Sequence, residues 1–427
     1  MSAIRNALVS RRDLAKLAAA TGFSLGMVPA AARIALAQGT QAAVKPEDVI
    51  AGISPEMIIL NAKILVMETP LALLRKYKHT PKEILFTRFH FPHQGQADFA
   101  TVAAPSTAEF ANWRIDVDGM VERPRTLRLD DLAKRPQEKR VSVLQCAGNG
   151  RGYYAALQKT PGGQWKNGGM GNVEWEGAAL RPLLADLHLV PSPSARWLTA
   201  QPWIRDQPAT PLGSGFAKSY PLTAPALDHA ILALKMNGEP IPAVHGGPVR
   251  LIIPGYYGNM NVKMVRTLLL MPEQSPSVFQ SVGYRMPLRP VKPGQFGFDE
   301  YDIYNSVPTY GHVIKSVIFS PLPEDHPKSG SVTITGVAFN DGLAPITRVD
   351  VSADGGKTWQ QATLAAEESP WAWRHWSLPT SLPAGSHELA SRATDSIGRT
   401  QPLDGLARWN PRGFEWNGVE RVGVDFG

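Results

Sequence analysis

The sequence predicts an α+β chain in two unlike parts, a mixed α/β region over about 81–270 and an antiparallel β-sandwich over 315–427. Two observations predict it. The first part is rich in Gly and Pro and carries short apolar runs, Val141–Gln145 and Val249–Ile253, each reading as a buried strand that enters a glycine-containing turn. From about Lys315 the texture changes. Ser331–Gly336, Thr347–Ser352 and His387–Thr394 alternate apolar and polar residues, with turn signals at Asp341-Gly342, Asp354-Gly355-Gly356 and Pro383-Ala384-Gly385.

Taken in order, residues 1–37 read as an address. Ser10-Arg11-Arg12-Asp13-Leu14-Ala15-Lys16 is a twin-arginine signal, followed by a weakly apolar stretch from Leu17 to Ala32 and a small-x-small cleavage site, Ala35-Leu36-Ala37. That route carries folded proteins, so it raises the expectation of a cofactor loaded before export to the periplasm. Residues 38–80 read as an N-terminal extension with a helical pattern near Pro55–Lys76, and 271–314 as a linker between the two parts. No other stretch reads as a membrane span.

Bulk properties narrow the function. A chain of 427 residues with 43% hydrophobic and 19% charged residues suits a globular protein of two domains. Arg5, Arg11, Arg12, Lys16 and Arg33 against Asp13 account for four of the seven net positive charges. The remainder is too weakly basic to argue for nucleic acid. With one cysteine, the sequence has no internal disulfide, no cysteine-ligated iron–sulfur cluster and no C-x-x-C-H haem attachment.

Three segments carry chemistry. In Val143-Leu144-Gln145-Cys146-Ala147-Gly148-Asn149-Gly150-Arg151 a strand delivers a thiol into a loop of small residues, where a bulky ligand can approach the backbone. Arg151 can favour the thiolate and attract an anion. Alone, such a thiol reads by default as a buried inert cysteine, and a catalytic nucleophile would need a paired base that the sequence does not place. In Phe86-Thr87-Arg88-Phe89-His90, Arg88 and His90 share one face of an extended chain and suit an oxyanion or phosphate; the plainer reading is a surface strand with incidental charge. In the third segment His245, Arg250 and Lys263 cluster around glycine turns and a buried strand, which fits a phosphate-bearing cofactor better than a packing core.

Together, in this order, these segments resemble the sulfite oxidase family of molybdenum-cofactor enzymes: Arg88-x-His90, Cys146-Ala-Gly-Asn-x-Arg151, Met236-Asn-Gly-x-x-x-Pro242, His245-Gly-x-Pro-Val-Arg250 and Val262-Lys263. The C-terminal part resembles that family's dimerisation domain in Arg348-Val-Asp-Val-Ser352, Asp354-Gly-Gly-x-Thr-Trp359, Trp371-Ala-Trp-Arg-His-Trp376 and Trp409-Asn-Pro-Arg412. The resemblance implies a molybdopterin-binding catalytic domain over 81–270 and an immunoglobulin-like dimerisation domain over 315–427.

Carried over residue by residue, the resemblance makes Cys146 the thiolate ligand of molybdenum. It assigns Arg88, His90, His245, Arg250 and Lys263 to the pterin and its phosphate, with a further contact at Asn261, where Gly258-Asn-Met-Asn replaces the vertebrate Gly-Ala-Arg-x. Arg88, Arg151 and Arg374 line the anion pocket, with Trp165 and Tyr284 as the pocket tryptophan and active-site tyrosine; core packing is the plainer reading of those two. Gly150 stands where vertebrate members have arginine, and Asp206 is a poor counterpart of the pterin-contacting aspartate. The implied function is oxidation of sulfite by a homodimer without haem that passes electrons to a c-type cytochrome or blue-copper protein. The motif around Asn261 also resembles the sulfane dehydrogenase subunit of thiosulfate-oxidising complexes. A sulfoxide reductase and a non-catalytic β-sandwich binding protein are the remaining alternatives.

Overall fold

The computed structural model describes residues 45–62, 65–89, 107–188, 194–203, 215–295 and 303–427. The twin-arginine leader, His90 and Asp206 lie outside the described residues.

The first part is built on two five-stranded sheets. One is antiparallel and runs Glu239–Pro240, Ile231–Met236, Met170–Ala179, Gln137–Gln145, with Arg250–Ile252 also pairing Ile231–Met236. The other is mixed: Val265–Met271 lies parallel to Arg114–Gly119 and antiparallel to Trp197–Pro202. Helices are short, Leu180–Asp186 among the longest described. The two runs expected to be strands are strands, Gln137–Gln145 and Arg250–Ile252, and each runs on into a glycine-containing turn.

The expected helix near Pro55–Lys76 is mostly absent. Ile58–Asn61 and Val66–Glu68 form an antiparallel pair, to which Thr87–Arg88 adds a third strand, and only Leu71–Leu74 is helical. The β-branched pair Ile58-Ile59 favours extended backbone, and Pro70 restarts the chain as the helix cap. This segment is no appendage. Met67 and Leu74 are fully buried, and the Glu68 carboxylate accepts the amides of Lys166 (3.1 Å) and Gly168 (2.7 Å).

The C-terminal part is two four-stranded antiparallel sheets. Lys315–Ser320, Gly330–Phe339, Arg374–Leu382 and Thr363–Leu364 make one; Gln360–Gln361, Ile346–Ser352, Gly385–Asp395 and Arg421–Phe426 make the other. Arg421–Phe426 alternates exposed and buried residues without a break, as a strand with one face on a core must. Gly342, Gly355, Gly356 and Gly385 sit at the expected turns with positive φ. The α+β class is therefore what the chain adopts.

The parts are fused. Val143, Leu74 and Met170 share a buried cluster with Val317, Phe319, Val337, Phe339 and Trp373. The amide of Val143 donates to the carbonyl of Trp371 at 2.8 Å. Phe414, from the C-terminal part, is packed into the main core of the first part.

Candidate active site

At the end of strand Gln137–Gln145 the chain turns through Cys146-Ala-Gly-Asn-Gly into the 3-10 turn Arg151–Ala156. The turn is held from several sides. The Cys146 amide donates to Gly169 O at 2.8 Å, the Gly150 amide to Lys166 O at 2.7 Å, and the Gly169 amide to Asn149 Oδ1 at 2.9 Å. The Gly148 amide points at Cys146 Sγ, 3.4 Å away. Glycine is needed here for space: a Cβ at Gly148 would lie 2.6 Å from the Arg151 guanidinium.

The thiol opens into a cavity enclosing about 590 Å³ with its mouth. Among its lining are Arg88, Cys146, His245, Arg250, Asn261, Lys263 and Tyr284, brought together from all three motif segments and the expected linker. None of the described lining residues is acidic. Arg250 donates to the carbonyls of His245 (2.7 Å) and Asn261 (3.2 Å), and Lys263 to those of Val244 (2.6 Å) and Arg88 (3.3 Å). Arg151 donates to Arg412 O (3.1 Å) and Gly163 O (3.0 Å). Among the described residues none of these three cations meets a carboxylate.

Burial weighs on each group. It pushes Arg250 down to about 9 and His245 down to about 3. It holds Lys263 well below the ordinary lysine value, with Arg250 and Arg88 adding repulsion. The Cys146 thiol is pushed up by burial and drawn back by Arg151. Buried charge of one sign is costly unless an opposite charge arrives. The site therefore calls for an anion, more than one charge deep.

Tyr284 is carried between helix Val278–Ser281 and strand Arg285–Pro287 in a left-handed backbone, φ +54°, uncommon for a tyrosine. Burial pushes its hydroxyl up to about 12, against the charges of Arg88, Arg151 and Arg412. It remains a proton donor at neutral pH.

Two expectations change. Arg374 does not line the cavity. Its Nε donates to Ala365 O (2.7 Å) and one Nη to Ile346 O (2.8 Å), inside the sandwich. The C-terminal arginine whose charge bears on Tyr284 is Arg412, buried at 4% exposure in the segment Trp409-Asn-Pro-Arg412. That segment was visible in the sequence, but nothing local marks its arginine over Arg374. Trp165 lies behind the cavity wall, edge-on to the lining residue Phe86 at 5.8 Å. Asn261 reaches the cavity, yet its amide is committed to the fold. It donates to Tyr256 O and Tyr257 O and accepts from Ile253 N. The sequence reading also missed Asn259, which lines the cavity with a buried Oδ1 that has no hydrogen-bond partner among the described residues.

This donor set fits a molybdenum cofactor. A single soft thiol faces the cavity, suited to a soft metal centre. A floor of buried cations suits a phosphate, and the unsatisfied Asn259 oxygen suits an N–H of a heterocycle.

Comparison with known proteins agrees. Residues 101–279 match the family described as oxidoreductase molybdopterin binding domain, and residues 307–426 the Mo-co oxidoreductase dimerisation domain. The chain is 32% identical to sulfite oxidase of Gallus gallus over 369 residues, 84% of this chain and 76% of that protein. It is 33% identical to mitochondrial sulfite oxidase of Homo sapiens over 381 residues, 87% of this chain and 66%, just under two thirds, of that protein. Its fold is similar to the crystal structure of the sulfane dehydrogenase SoxCD from Paracoccus pantotrophus, with a TM-score of 0.69, 29% identity and 85% of each chain covered. With both of the family's domains in order and such identity over most of its length, the chain belongs to the sulfite oxidase family of molybdenum-cofactor oxidoreductases.

Proposed function

We propose that this protein is an exported sulfite dehydrogenase that takes sulfite and water to sulfate, two protons and two electrons. The observation that carries this reading is the cavity itself: one thiol and several buried cations, with no acidic residue among its described lining. The bound molybdenum cofactor would supply oxygen-atom transfer and take up the electron pair. Cys146 would be its protein ligand, with His245, Arg250, Lys263 and Asn259 holding the pterin and phosphate.

The rest falls to the chain's own side chains. Arg88, Arg151 and Arg412 draw in a small dianion and orient it. The Tyr284 hydroxyl, kept protonated by burial, donates a hydrogen bond to an anion oxygen. Three arginines around one hydroxyl disfavour a neutral sulfoxide. The electrons would leave to a separate carrier, such as a c-type cytochrome or a blue-copper protein. The Arg11-Arg12 leader supports a periplasmic destination, and the dimerisation domain supports a homodimer.

A second reading is favoured by the likeness to SoxCD: oxidation of a sulfane sulfur carried by a partner protein. Metal analysis of the purified protein and dye reduction driven by free sulfite test the proposal. Molybdenum with brisk free-sulfite turnover supports it, and molybdenum without such turnover moves the assignment to the second reading.

A further inference from the structure

Four side chains from three parts of the chain form a ladder across the site. The Arg151 guanidinium carbon lies 5.4 Å from the centre of the Phe414 ring. Phe414 stacks on Tyr284, centres 5.0 Å apart and planes 13° from parallel. The Lys218 ammonium lies 5.1 Å from the centre of the Tyr284 ring. Arg151 follows the thiol loop, Tyr284 follows the short helix Val278–Ser281, and Phe414 comes from the C-terminal part.

We infer that Phe414 is a positioning residue for Tyr284, fixing where its hydroxyl stands over the anion; the inference rests on the sulfite reading above. Phe414 is the rung held most rigidly. Its amide donates to Asn410 Oδ1 (3.1 Å), and its carbonyl accepts from Asn410 Nδ2 (2.9 Å) and the Tyr154 hydroxyl (3.0 Å). The next residue, Glu415, donates its amide to the carbonyl of Ala147, beside Cys146, at 2.8 Å. The ring is thus referenced to the thiol loop. Near-parallel rings lose overlap when either turns, so a fixed Phe414 restricts the Tyr284 ring.

The two neighbours are held in different ways. Arg151 is already fixed by the carbonyls of Arg412 and Gly163. Tyr284 sits on a left-handed backbone between two short elements. Lys218 helps: it is fully buried and donates to the carbonyl of Phe279 at 2.5 Å, within the helix that leads to Tyr284.

This assigns a kinetic signature. A group positioned for the transition state changes turnover, whereas one that holds the anion throughout changes the Michaelis constant. Phe414→Leu keeps an apolar side chain but removes the ring face. It should lower kcat about 10-fold and move KM less than about 3-fold, with molybdenum content unchanged. Phe414→Tyr, which keeps the ring, should restore kcat. In the Tyr284→Phe background, Phe414→Leu should cost less than about 2-fold more, because the hydroxyl it positions is gone. Equal losses in both backgrounds, or a rise in KM alone, overturn the inference. If Phe414→Leu does not fold, Phe414→Trp in the same two backgrounds decides it: a kcat effect confined to the chain that keeps Tyr284 supports positioning, and an equal effect in both overturns it.

The near-ultraviolet circular dichroism difference between wild type and Tyr284→Phe reads the stacked ring without substrate. Its collapse in Phe414→Leu supports the inference, and its persistence overturns it. If wild-type protein ignores sulfite but the signal still collapses in Phe414→Leu, the sulfite reading falls and the stacking inference stands.

Discussion

Arg151 donates through Nε to the backbone carbonyl of Arg412, 3.1 Å away, so the arginine nearest the thiol loop is anchored by the arginine that the C-terminal part contributes. Both charges bear on the Tyr284 hydroxyl. The two parts of the chain therefore meet beside Tyr284.

Arg412 and Arg374 should behave oppositely. A charged hydrogen bond to a bound anion is worth roughly 1.5–3 kcal/mol, about 10- to 150-fold in affinity. Arg412→Gln should raise KM for sulfite by such a factor, with the effect shrinking as salt rises. Arg374→Gln should leave KM within about 2-fold and instead lower stability by about 1–3 kcal/mol, as two carbonyls lose a charged donor. Steady-state kinetics and urea unfolding of both variants separate the roles. A KM defect in Arg374→Gln would return that residue to the pocket.

Cys146→Ser keeps the size of the side chain and replaces a soft donor with a hard one. Even outer partners of metal ligands are worth about 10- to 100-fold, so turnover should fall at least about 100-fold while the melting temperature stays close to wild type. Near wild-type activity in metal-replete Cys146→Ser would show that the thiol is not the ligand.

His312 predicts a pH dependence away from the site. It packs against Tyr257 (4.9 Å) and Phe339 (6.0 Å), and burial pushes its pKa down to about 3. The unfolded value is about 6.5. The unfolded chain therefore takes up the proton first on acidification. The neutral imidazole stabilises the fold fully above about pH 6.5, and that contribution is lost as pH falls toward 3, at up to about 1.36 kcal/mol per pH unit. His312→Gln removes the term. Its urea midpoints between pH 4 and 7 should fall less steeply than those of wild type, and an identical slope would mean His312 does not titrate as argued.

Export is checked by changing Arg11 and Arg12 together to lysine. The precursor should then accumulate in the cytoplasm with its molybdenum loaded. Normal appearance of that variant in the periplasmic fraction would rule out the twin-arginine route.

Much of this was legible in the sequence because local chemistry dictates it. Cys146 sits in a loop of small residues since only those leave room for the Arg151 guanidinium, and His245, Arg250 and Lys263 converge because a glycine turn and a short strand bring them back on one another. What was missed depends on long-range partners. Arg374 and Arg412 both follow aromatic-rich motifs, and only the tertiary structure gives one the carbonyls of Ala365 and Ile346 and the other the neighbourhood of Tyr284. Pro55–Lys76 carries a helix-like apolar spacing, but Thr87–Arg88 offers Val66–Glu68 a strand to pair with, and pairing wins.

Gly150 has φ +88°, and a Cβ there would meet the Trp416 ring at 2.6 Å. These two positions, 266 residues apart in sequence and on opposite sides of the domain boundary, are packed directly against one another. A side chain at position 150 would require the Trp416 ring to move or change. Grafting the C-terminal part of one relative onto the upstream part of another would break that pairing even where each half folds. Such a graft would also have to carry Glu420 with the thiol loop, since its carboxylate accepts hydrogen bonds from Tyr153 and Asn167.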